Sequence, residues 1–268
     1  LYVRLKSGNH DGYSDIKSPA NTYLSAGKGN SDELRIDKIW YTMPVTERST
    51  IWIGPKIENY YMHATSPSIY QPTLKQFALG GNGSAYGSST SPGFGAAWTQ
   101  SVEDPMDPRF ALSVNYTSKD GASSSKDKGL FGEDSRSFFL SKLEYGTPQW
   151  QVSGSMSVKE GGGYDGYFHS SLAKGAKTDM TAYGLRAYWR PDSTGTATPE
   201  ISVGYDTRSV DDTVASGEPK DSDSYFVGLT WRDMFQADDR IGLAITQPLK
   251  VTECNGTCTT TDVDPLAV

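Results

Sequence analysis

The chain has 268 residues, of which 36% are hydrophobic, and it carries a formal net charge of -7. The negative charge argues against a general nucleic-acid-binding protein. No apolar run approaches the ~18 residues of a membrane-spanning helix, which excludes helical membrane proteins. The length fits a single large all-β domain, and a mean hydropathy of -0.53 is compatible with a barrel that encloses water.

The sequence predicts an all-β protein built from eleven strands. Many of these segments contain 9 or 10 residues, longer than the ~5–6 residues usual in soluble sheets and close to the ~9–11 residues of a tilted membrane strand. In chain order the predicted strands are Leu1–Gly8, Leu34–Met43, Thr50–Ile57, Gly93–Ser101, Arg109–Ser118, Ser135–Tyr145, Gln149–Val158, Thr181–Arg190, Glu200–Arg208, Ser224–Arg232 and Arg240–Gln247.

Residues 181–208 show the strand pattern most clearly. Leu185 and Trp189 share one parity, whereas Arg186 and Arg190 share the other. Because alternate side chains of a strand point to opposite faces, one face is apolar and the other is charged. A stretch of turn-forming residues and a second alternating segment follow. The repeating unit is therefore predicted to be a long hairpin with one apolar and one ionic face.

The predicted connections alternate between short and long. The short connections are Pro44–Ser49, Val102–Pro108, Gly146–Pro148, Pro191–Ala197 and Asp233–Asp239. The long connections are Asn9–Glu33, Gly54–Pro92, Lys119–Asp134, Lys159–Met180 and Ser209–Asp223. Outer-membrane barrels have short periplasmic turns and long extracellular loops. This order therefore favours an antiparallel transmembrane β-barrel over a soluble sandwich.

Aromatic residues are frequent in the predicted strands, and several lie near strand ends. Such rings are typical of the interfacial girdles of membrane barrels, although Trp and Tyr also favour strands and packed cores in general. An odd number of strands does not close an antiparallel barrel. Either one strand is miscounted or terminal strands lie outside the sequence, and the abrupt ends of the sequence favour the second explanation.

Several stretches resemble one family of membrane proteins. They are Arg4–Asn9, Glu33–Val45, Ile53–Pro55, Gly93–Trp98 and Phe110–Ser118. They are similar to the cyanobacterial outer-membrane porins of the carbohydrate-selective, OprB-like family, also called iron uptake porins. The likeness covers most of the chain as a pattern, and its motifs are moderately specific.

The resemblance implies a homotrimeric, water-filled porin of about sixteen strands. It also implies a preceding periplasmic surface-layer-homology domain that binds peptidoglycan. Neither that domain nor the closing C-terminal strands is recognised in the sequence, so we expect residues 1–268 to be one barrel domain that is incomplete at both ends. Its expected location is the outer membrane, in contact with lipid and lipopolysaccharide.

Charged residues of one strand parity are predicted to line the pore, because a charge facing mid-bilayer lipid costs ~2–4 kcal/mol. They are Arg4, Lys6, Arg109, Arg186, Arg190, Glu200, Asp206, Arg208, Arg232 and Arg240. Basic residues outnumber acidic ones in this set, which predicts a locally positive lumen that favours anions. For Arg190, Arg232 and Arg240, which lie near turns, an ordinary role as rim charges stays open.

The connection 54–92 is the longest, and its first half is rich in aromatic and small residues. A loop with this apolar content should pack against the protein. We expect it to fold into the barrel and narrow the pore, with Tyr60, Tyr61, His63 and Tyr70 near the constriction. The alternative is that it caps a neighbouring subunit or latches over the rim.

Other motifs give no catalytic site, metal centre or cofactor. Cys254 and Cys258 are spaced for a small disulfide-closed loop in an oxidising compartment, with free thiols as the alternative. The histidines lack metal-like spacing, and no nucleophile elbow or phosphate loop is present. The aspartates that suit either a calcium-binding loop tip or a solvated turn are Asp211, Asp212, Asp221 and Asp223.

The predicted function is passive diffusion of small hydrophilic solutes and inorganic ions through a porin. An outer-membrane barrel hydrolase and a soluble all-β adhesin or binding module are the alternatives. The solute stays open, because carbohydrate and iron follow from the labels of the family.

Overall fold

The computed structural model describes residues 1–8, 32–66, 68–71, 90–162, 178–210 and 216–258. This part of the chain is all-β, apart from a short 3-10 helix at Asn59–Tyr61. The strands are β1 (Tyr2–Lys6), β2 (Arg35–Thr46), β3 (Ser49–Glu58), β4 (Thr90–Thr99), β5 (Arg109–Ser118), β6 (Ser137–Gly146), β7 (Trp150–Glu160), β8 (Met180–Trp189), β9 (Glu200–Val210), β10 (Pro219–Arg232) and β11 (Arg240–Cys254). No helix within these ranges is long and apolar enough to cross a membrane.

The strands form one antiparallel sheet of 11 strands in which each strand pairs with its neighbours in the chain. The predicted all-β antiparallel architecture is therefore confirmed. Within the described residues, β1 pairs only with β2 and β11 pairs only with β10, so the sheet is open at both edges. The predicted closure into a barrel is not seen in this part of the chain.

The two faces of the sheet differ sharply in polarity. Leu185 is 63% exposed, whereas the adjacent Arg186 is only 3% exposed. We call the face that carries Leu185 the apolar face and the face that carries Arg186 the polar face. Soluble sheets show the opposite arrangement, with large apolar side chains buried and charged ones in water.

The apolar face presents aliphatic and aromatic side chains from almost every strand. Its exposed members include Leu5, Ile53, Phe94, Trp98, Phe110, Leu112, Leu143, Tyr145, Val152, Tyr183, Leu185, Trp189, Val203, Tyr205, Tyr225, Val227, Ile241, Leu243 and Ile245. A contiguous apolar surface of this kind marks contact with a membrane or with another protein. The apolar clusters among the buried, described residues are small, such as Met180 with Ala182 and Val210.

Several predicted boundaries are wrong. β3 continues to Glu58 and β4 begins at Thr90, so the longest connection covers residues 59–89. The connection predicted at Ser209–Asp223 shrinks to residues 211–218, because β9 and β10 remain paired as far as Ser209 and Asp221. That connection is shorter than the observed short connections at residues 100–108 and 190–199, so the alternation of short and long connections holds everywhere but there.

A β-bulge explains why the charges near the start of the chain fall on both sequence parities. The register between β1 and β2 shifts between Arg4 and Leu5. A bulge opposes two residues of one strand to one residue of the other, which resets the side-chain alternation. Asp37 and Lys38, adjacent in sequence, are consequently both buried and both form ion pairs with polar-face charges.

Candidate functional site

The polar face is the candidate functional site, because the charged side chains of the strands gather there and are buried. Its buried polar residues include Lys38, Glu58, Ser113, Asn115, Lys142, Glu144, Gln151, Ser153, Lys159, Arg186, Glu200, Ser202, Asp206, Arg208, Ser222 and Ser224. Burying a charge is costly unless it is paired and hydrogen-bonded. The partners of these groups therefore define the chemistry of the face.

A connecting segment crosses the polar face. We call residues 59–66 and 68–71 the cross-face segment. It leaves the end of β3 and runs across the strands as far as β10 and β11. The Asn115 side-chain amide donates a hydrogen bond to the Asn59 carbonyl (3.0 Å). The Ala64 amide then donates to the Ser113 hydroxyl (2.7 Å). Both contacts fasten the first half of the segment to β5.

Thr65 is the central anchor of the cross-face segment. Its hydroxyl donates to the Glu144 carboxylate and accepts a hydrogen bond from the Gln151 side-chain amide. Its carbonyl accepts a hydrogen bond from the Lys142 ammonium (3.1 Å). Lys142 and Glu144 also form an ion pair of 2.5 Å, and their side chains are 0% and 1% exposed. The segment thus completes the hydrogen bonding of a buried pair of opposite charges.

The far end of the cross-face segment rests on β9, β10 and β11. The Ser68 and Ser202 hydroxyls are 3.0 Å apart. The Tyr70 ring lies directly over two glycines, so that a Cβ added to Gly228 would fall 2.7 Å from the ring and one added to Gly242 would fall 3.3 Å from it. Because Gly228 and Gly242 have no side chains, the Tyr70 ring can pack against the backbone of two neighbouring strands.

The residues predicted for the constriction all lie on the cross-face segment. His63 and Tyr70 pack against the polar face, near Lys142 and Gly228 respectively. The Tyr60 hydroxyl donates to the Glu58 carboxylate, and burial together with that negative charge raises the pKa of Tyr60. Tyr61 is half exposed beside it, with the two ring centroids 4.9 Å apart.

A second buried ion pair joins β8 and β9. The Arg186 guanidinium donates to the Asp206 carboxylate (2.6 Å), and each side chain is 1% exposed. Arg186 also donates to the carbonyls of Leu185 (2.8 Å) and Tyr205 (3.1 Å). The Ser224 hydroxyl lies 3.3 Å from Asp206 and donates to it. These partners offset much of the cost of burying both charges.

The first strands carry a larger charge network at the end next to the long connections. The Asp37 carboxylate pairs with Arg4 (2.5 Å) and Lys6 (2.9 Å), and the Glu58 carboxylate pairs with Lys38 (2.9 Å) and Arg4 (3.2 Å). The basic partners outnumber the acidic ones here.

Arginines dominate the opposite end of the polar face, next to the short connections. Arg190 and Arg232 both pair with the same oxygen of Glu200, at 3.5 Å and 2.5 Å. Arg240 lies directly across from Arg232 in the β10–β11 ladder. Arg109 begins β5 at the same end of the sheet.

Strand alternation puts every residue predicted to line a pore on the polar face, including the half-buried Arg109 and the exposed Arg240. The prediction missed the Lys142–Glu144 pair, although the two residues alternate with Leu143 and Tyr145. The apolar Phe138 and Leu140 share their parity and obscured the signal. Both are buried on the polar face.

A disulfide joins Cys254 and Cys258. Within the described ranges, no group of three or more His, Cys, Asp or Glu side chains could hold a metal ion. Asp221 begins the ladder with β9, and its carboxylate accepts a hydrogen bond from Ser209 (2.6 Å). Asp211 and Asp212 lie outside the described residues.

A groove of about 660 Å³ lies on the apolar face, lined mainly by residues such as Leu143, Val152, Leu185, Val203 and Tyr225. Such a lining offers almost no hydrogen-bonding groups to a hydrophilic solute. The polar chemistry of the molecule is therefore concentrated on the opposite face.

No protein-family model matches this chain. No curated protein matches it closely enough to identify a relative.

Proposed function

We propose that this chain forms the wall of an outer-membrane porin, a water-filled channel for passive diffusion of small hydrophilic solutes and inorganic ions. In this proposal the apolar face contacts membrane lipid and the polar face lines the channel. The resemblance to the cyanobacterial OprB-like porins agrees with it. The homotrimeric assembly and the attachment to peptidoglycan that the resemblance implies stay predictions.

The inverted burial of the sheet is the observation that carries the proposal. A soluble sheet would expose Arg186 and Asp206 and bury Leu185, whereas here the charges are buried and the leucine is exposed. In a hydrocarbon solvent the apolar face needs no further cover, while charges must point to protein or water. A membrane wall accounts for both faces at once.

Aromatic rings support the same reading at both ends of the strands. Phe110, Tyr145 and Trp150 cluster near the short connections. The ring centroids of Phe110 and Tyr145 are 4.6 Å apart, and those of Tyr145 and Trp150 are 5.8 Å apart. Tyr116 and Phe131 stack near the long connections, with centroids 5.3 Å apart. Rings at two levels of an apolar band are typical of the interfacial girdles of membrane barrels.

The open edges set a requirement for the proposal. Unpaired backbone groups at membrane depth cost several kcal/mol each, and β1 and β11 each leave one edge unpaired in the described part of the chain. The proposal therefore needs further strands that pair with β1 and β11, and the resemblance implies such strands.

The cross-face segment would narrow the channel in this arrangement. It is bonded to Ser113, Glu144 and Ser202, on three different strands of the polar face. A connection held at this many points occupies the space over the face instead of covering a neighbouring molecule or the rim.

The charge balance of the polar face favours anions. Its basic members are Arg4, Lys6, Lys38, Arg109, Lys142, Lys159, Arg186, Arg190, Arg208, Arg232 and Arg240, and its acidic members are Asp37, Glu58, Glu144, Glu200 and Asp206. An excess of positive charge in a confined channel concentrates anions and repels cations.

Recording in planar bilayers under a potassium chloride gradient tests the function. We expect stable single-channel conductance, with a reversal potential of the sign that indicates a higher permeability for chloride than for potassium. Heat-denatured protein in the same detergent is the control. Protein that inserts but carries no current would overturn the porin proposal, whereas a cation-selective current would overturn only the anion preference.

A further inference from the structure

We propose that Arg190, Arg232 and Arg240 form a binding site for small tetrahedral oxyanions. Inorganic phosphate serves as the probe in the tests below. The site would lie on the polar face at the end next to the short connections. This inference rests on the proposed channel and names one class of solute that it would hold.

The geometry around Glu200 gives the first argument. Its carboxylate is 8% exposed, and one of its oxygens pairs with both Arg190 and Arg232, whose side chains are 37% and 35% exposed. The glutamate therefore lies beneath two guanidinium groups that face open space. A single carboxylate oxygen cannot use the forked donors of two arginines, so donors remain for a second anion.

The β10–β11 ladder gives the second argument. Arg232 and Arg240 are direct cross-strand partners, and side chains in such positions have Cβ atoms about 4.5–5.5 Å apart. Like charges directly opposite each other destabilise a sheet. Arg240 forms no ion pair within the described residues, and Arg232 pairs with Glu200 at 2.5 Å. The Asp233 carboxylate interacts electrostatically with both arginines without pairing closely with either.

Unsatisfied donors give the third argument. The Nε–H group of Arg232 is buried and has no hydrogen-bond acceptor in the described part of the chain, whereas the Nε of Arg190 faces the Glu200 carboxylate at 3.5 Å, beyond good hydrogen-bond geometry. Leaving such a group unpaired is costly, and the cost is larger for charged groups. An oxyanion with several oxygens would supply acceptors to both guanidiniums together, which a spherical chloride ion cannot do with the same geometry.

The nearby aspartates are already engaged in the turn between β10 and β11. The Asp233 carboxylate accepts a hydrogen bond from the Asp238 amide (2.7 Å). The Asp239 carboxylate accepts hydrogen bonds from the amides of Met234 (2.8 Å), Phe235 (2.9 Å) and Gln236 (3.1 Å). These groups weaken the positive potential at the rim, but their hydrogen bonds stabilise the turn and leave the guanidinium donors available.

The test is a block of chloride current by inorganic phosphate in planar bilayers. We expect phosphate added to the side of the short connections to reduce the chloride current of the wild-type channel in a saturable way. In the double variant Arg190→Gln/Arg232→Gln, the half-blocking concentration should rise at least tenfold. Arg35→Gln removes an exposed arginine at the opposite end of the sheet and should leave the block unchanged.

A more conservative variant keeps the test valid if the double glutamine variant does not fold. Arg190→Lys/Arg232→Lys retains both charges but lacks the forked donors, and we expect it to conduct chloride with a several-fold weaker phosphate block. The binding site would be overturned if phosphate never reduced the chloride current of the wild type, or if it blocked both double variants as strongly as the wild type. Absence of any current would instead contradict the channel itself.

A lipid phosphate has the same chemistry as free phosphate, and a binding measurement distinguishes the two. Equilibrium dialysis of radiolabelled inorganic phosphate against the protein in maltoside micelles, which contain no phospholipid, should show saturable binding that Arg190→Gln/Arg232→Gln abolishes. A protein that binds no inorganic phosphate in these micelles, although phosphate blocks its current in phospholipid bilayers, would overturn the inference.

Discussion

His63, a partly exposed residue whose two ring nitrogens are buried, illustrates how one residue can make the docking of a segment depend on pH. It lies on the cross-face segment, two positions before Thr65. Burial, with a smaller contribution from the charge of Lys142, lowers the pKa of His63 from 6.5 to about 3. The imidazole of His63 is therefore neutral while the segment is docked. In an undocked segment the imidazole would take up a proton near pH 6.5.

The direction of the pH dependence follows from this difference. Because the pKa of His63 is lower in the docked state, its contribution to docking is complete above about pH 6.5 and is lost as the pH falls towards 3. We expect a spin label at Ser66→Cys, an exposed position of the segment, to become more mobile as the pH is lowered from 7 to 4. The measurement is electron paramagnetic resonance in detergent micelles.

The control for this prediction is His63→Gln, which cannot gain a proton. Its label should keep the same mobility over the range in which His63 titrates. Two carboxylates also contact the segment, Glu144 through Thr65 and Glu58 through Tyr60. An identical acid response in the glutamine variant would therefore assign the effect to these carboxylates and contradict the role of His63.

At the scale of the element, the packing of Tyr70 against Gly228 and Gly242 shows that glycines can position a segment. A methyl group at Gly228 would approach the Tyr70 ring to 2.7 Å, which is too close for any packed arrangement. A methyl group at Gly154, on the apolar face, would meet only the Leu185 side chain at 3.8 Å, an ordinary contact. The two glycines therefore form a matched pair for mutation.

We expect Gly228→Ala to weaken the docking of the cross-face segment by about 1–3 kcal/mol, the usual cost of overpacking. That energy corresponds to a rise of about 5- to 150-fold in the exposed fraction. Limited proteolysis within the segment should accelerate accordingly, while Gly154→Ala should be cut at the wild-type rate. Equal rates in all three proteins would show that the ring does not anchor the segment.

Strand alternation made the elements predictable, but it did not fix their limits or the docking. The pattern around Leu185 and Arg186 predicts a strand and its two faces, because an error of one residue would place a charge in the wrong environment. The start of β10 was missed because Lys220, Asp221 and Ser222 carry no apolar alternation. These residues form a strand only because β9 and β11 pair with them.

The contacts of the candidate site depended on tertiary structure that alternation does not contain. An inward path was predicted for the loop from its aromatic content, yet its anchor is the small residue Thr65. Tyr70 packs against Gly228 and Gly242, which lie on two different strands, and no local sequence pattern relates either glycine to Tyr70. Contacts between distant residues therefore had to come from the structure.

At the scale of the whole molecule, the solvent around the apolar face decides between a membrane wall and a soluble sheet. Leu185 is 63% exposed at the middle of β8. In water, substitution of so exposed a residue usually changes stability by no more than about 0.5 kcal/mol. In a bilayer, an arginine at mid-depth of a strand costs about 2–4 kcal/mol.

Leu185→Arg therefore gives different results in the two environments. We expect the variant to lose about 2–4 kcal/mol of unfolding free energy in urea titrations of protein inserted in liposomes. Phe235→Arg is the control, since Phe235 is 82% exposed in the short connection between β10 and β11, outside any strand. If Leu185→Arg is as stable as Phe235→Arg and folds without lipid or detergent, the apolar face meets water or protein, and the channel proposal fails with it. A loss confined to Leu185→Arg requires hydrocarbon on that face, and the charges beside it must then point to an enclosed polar space.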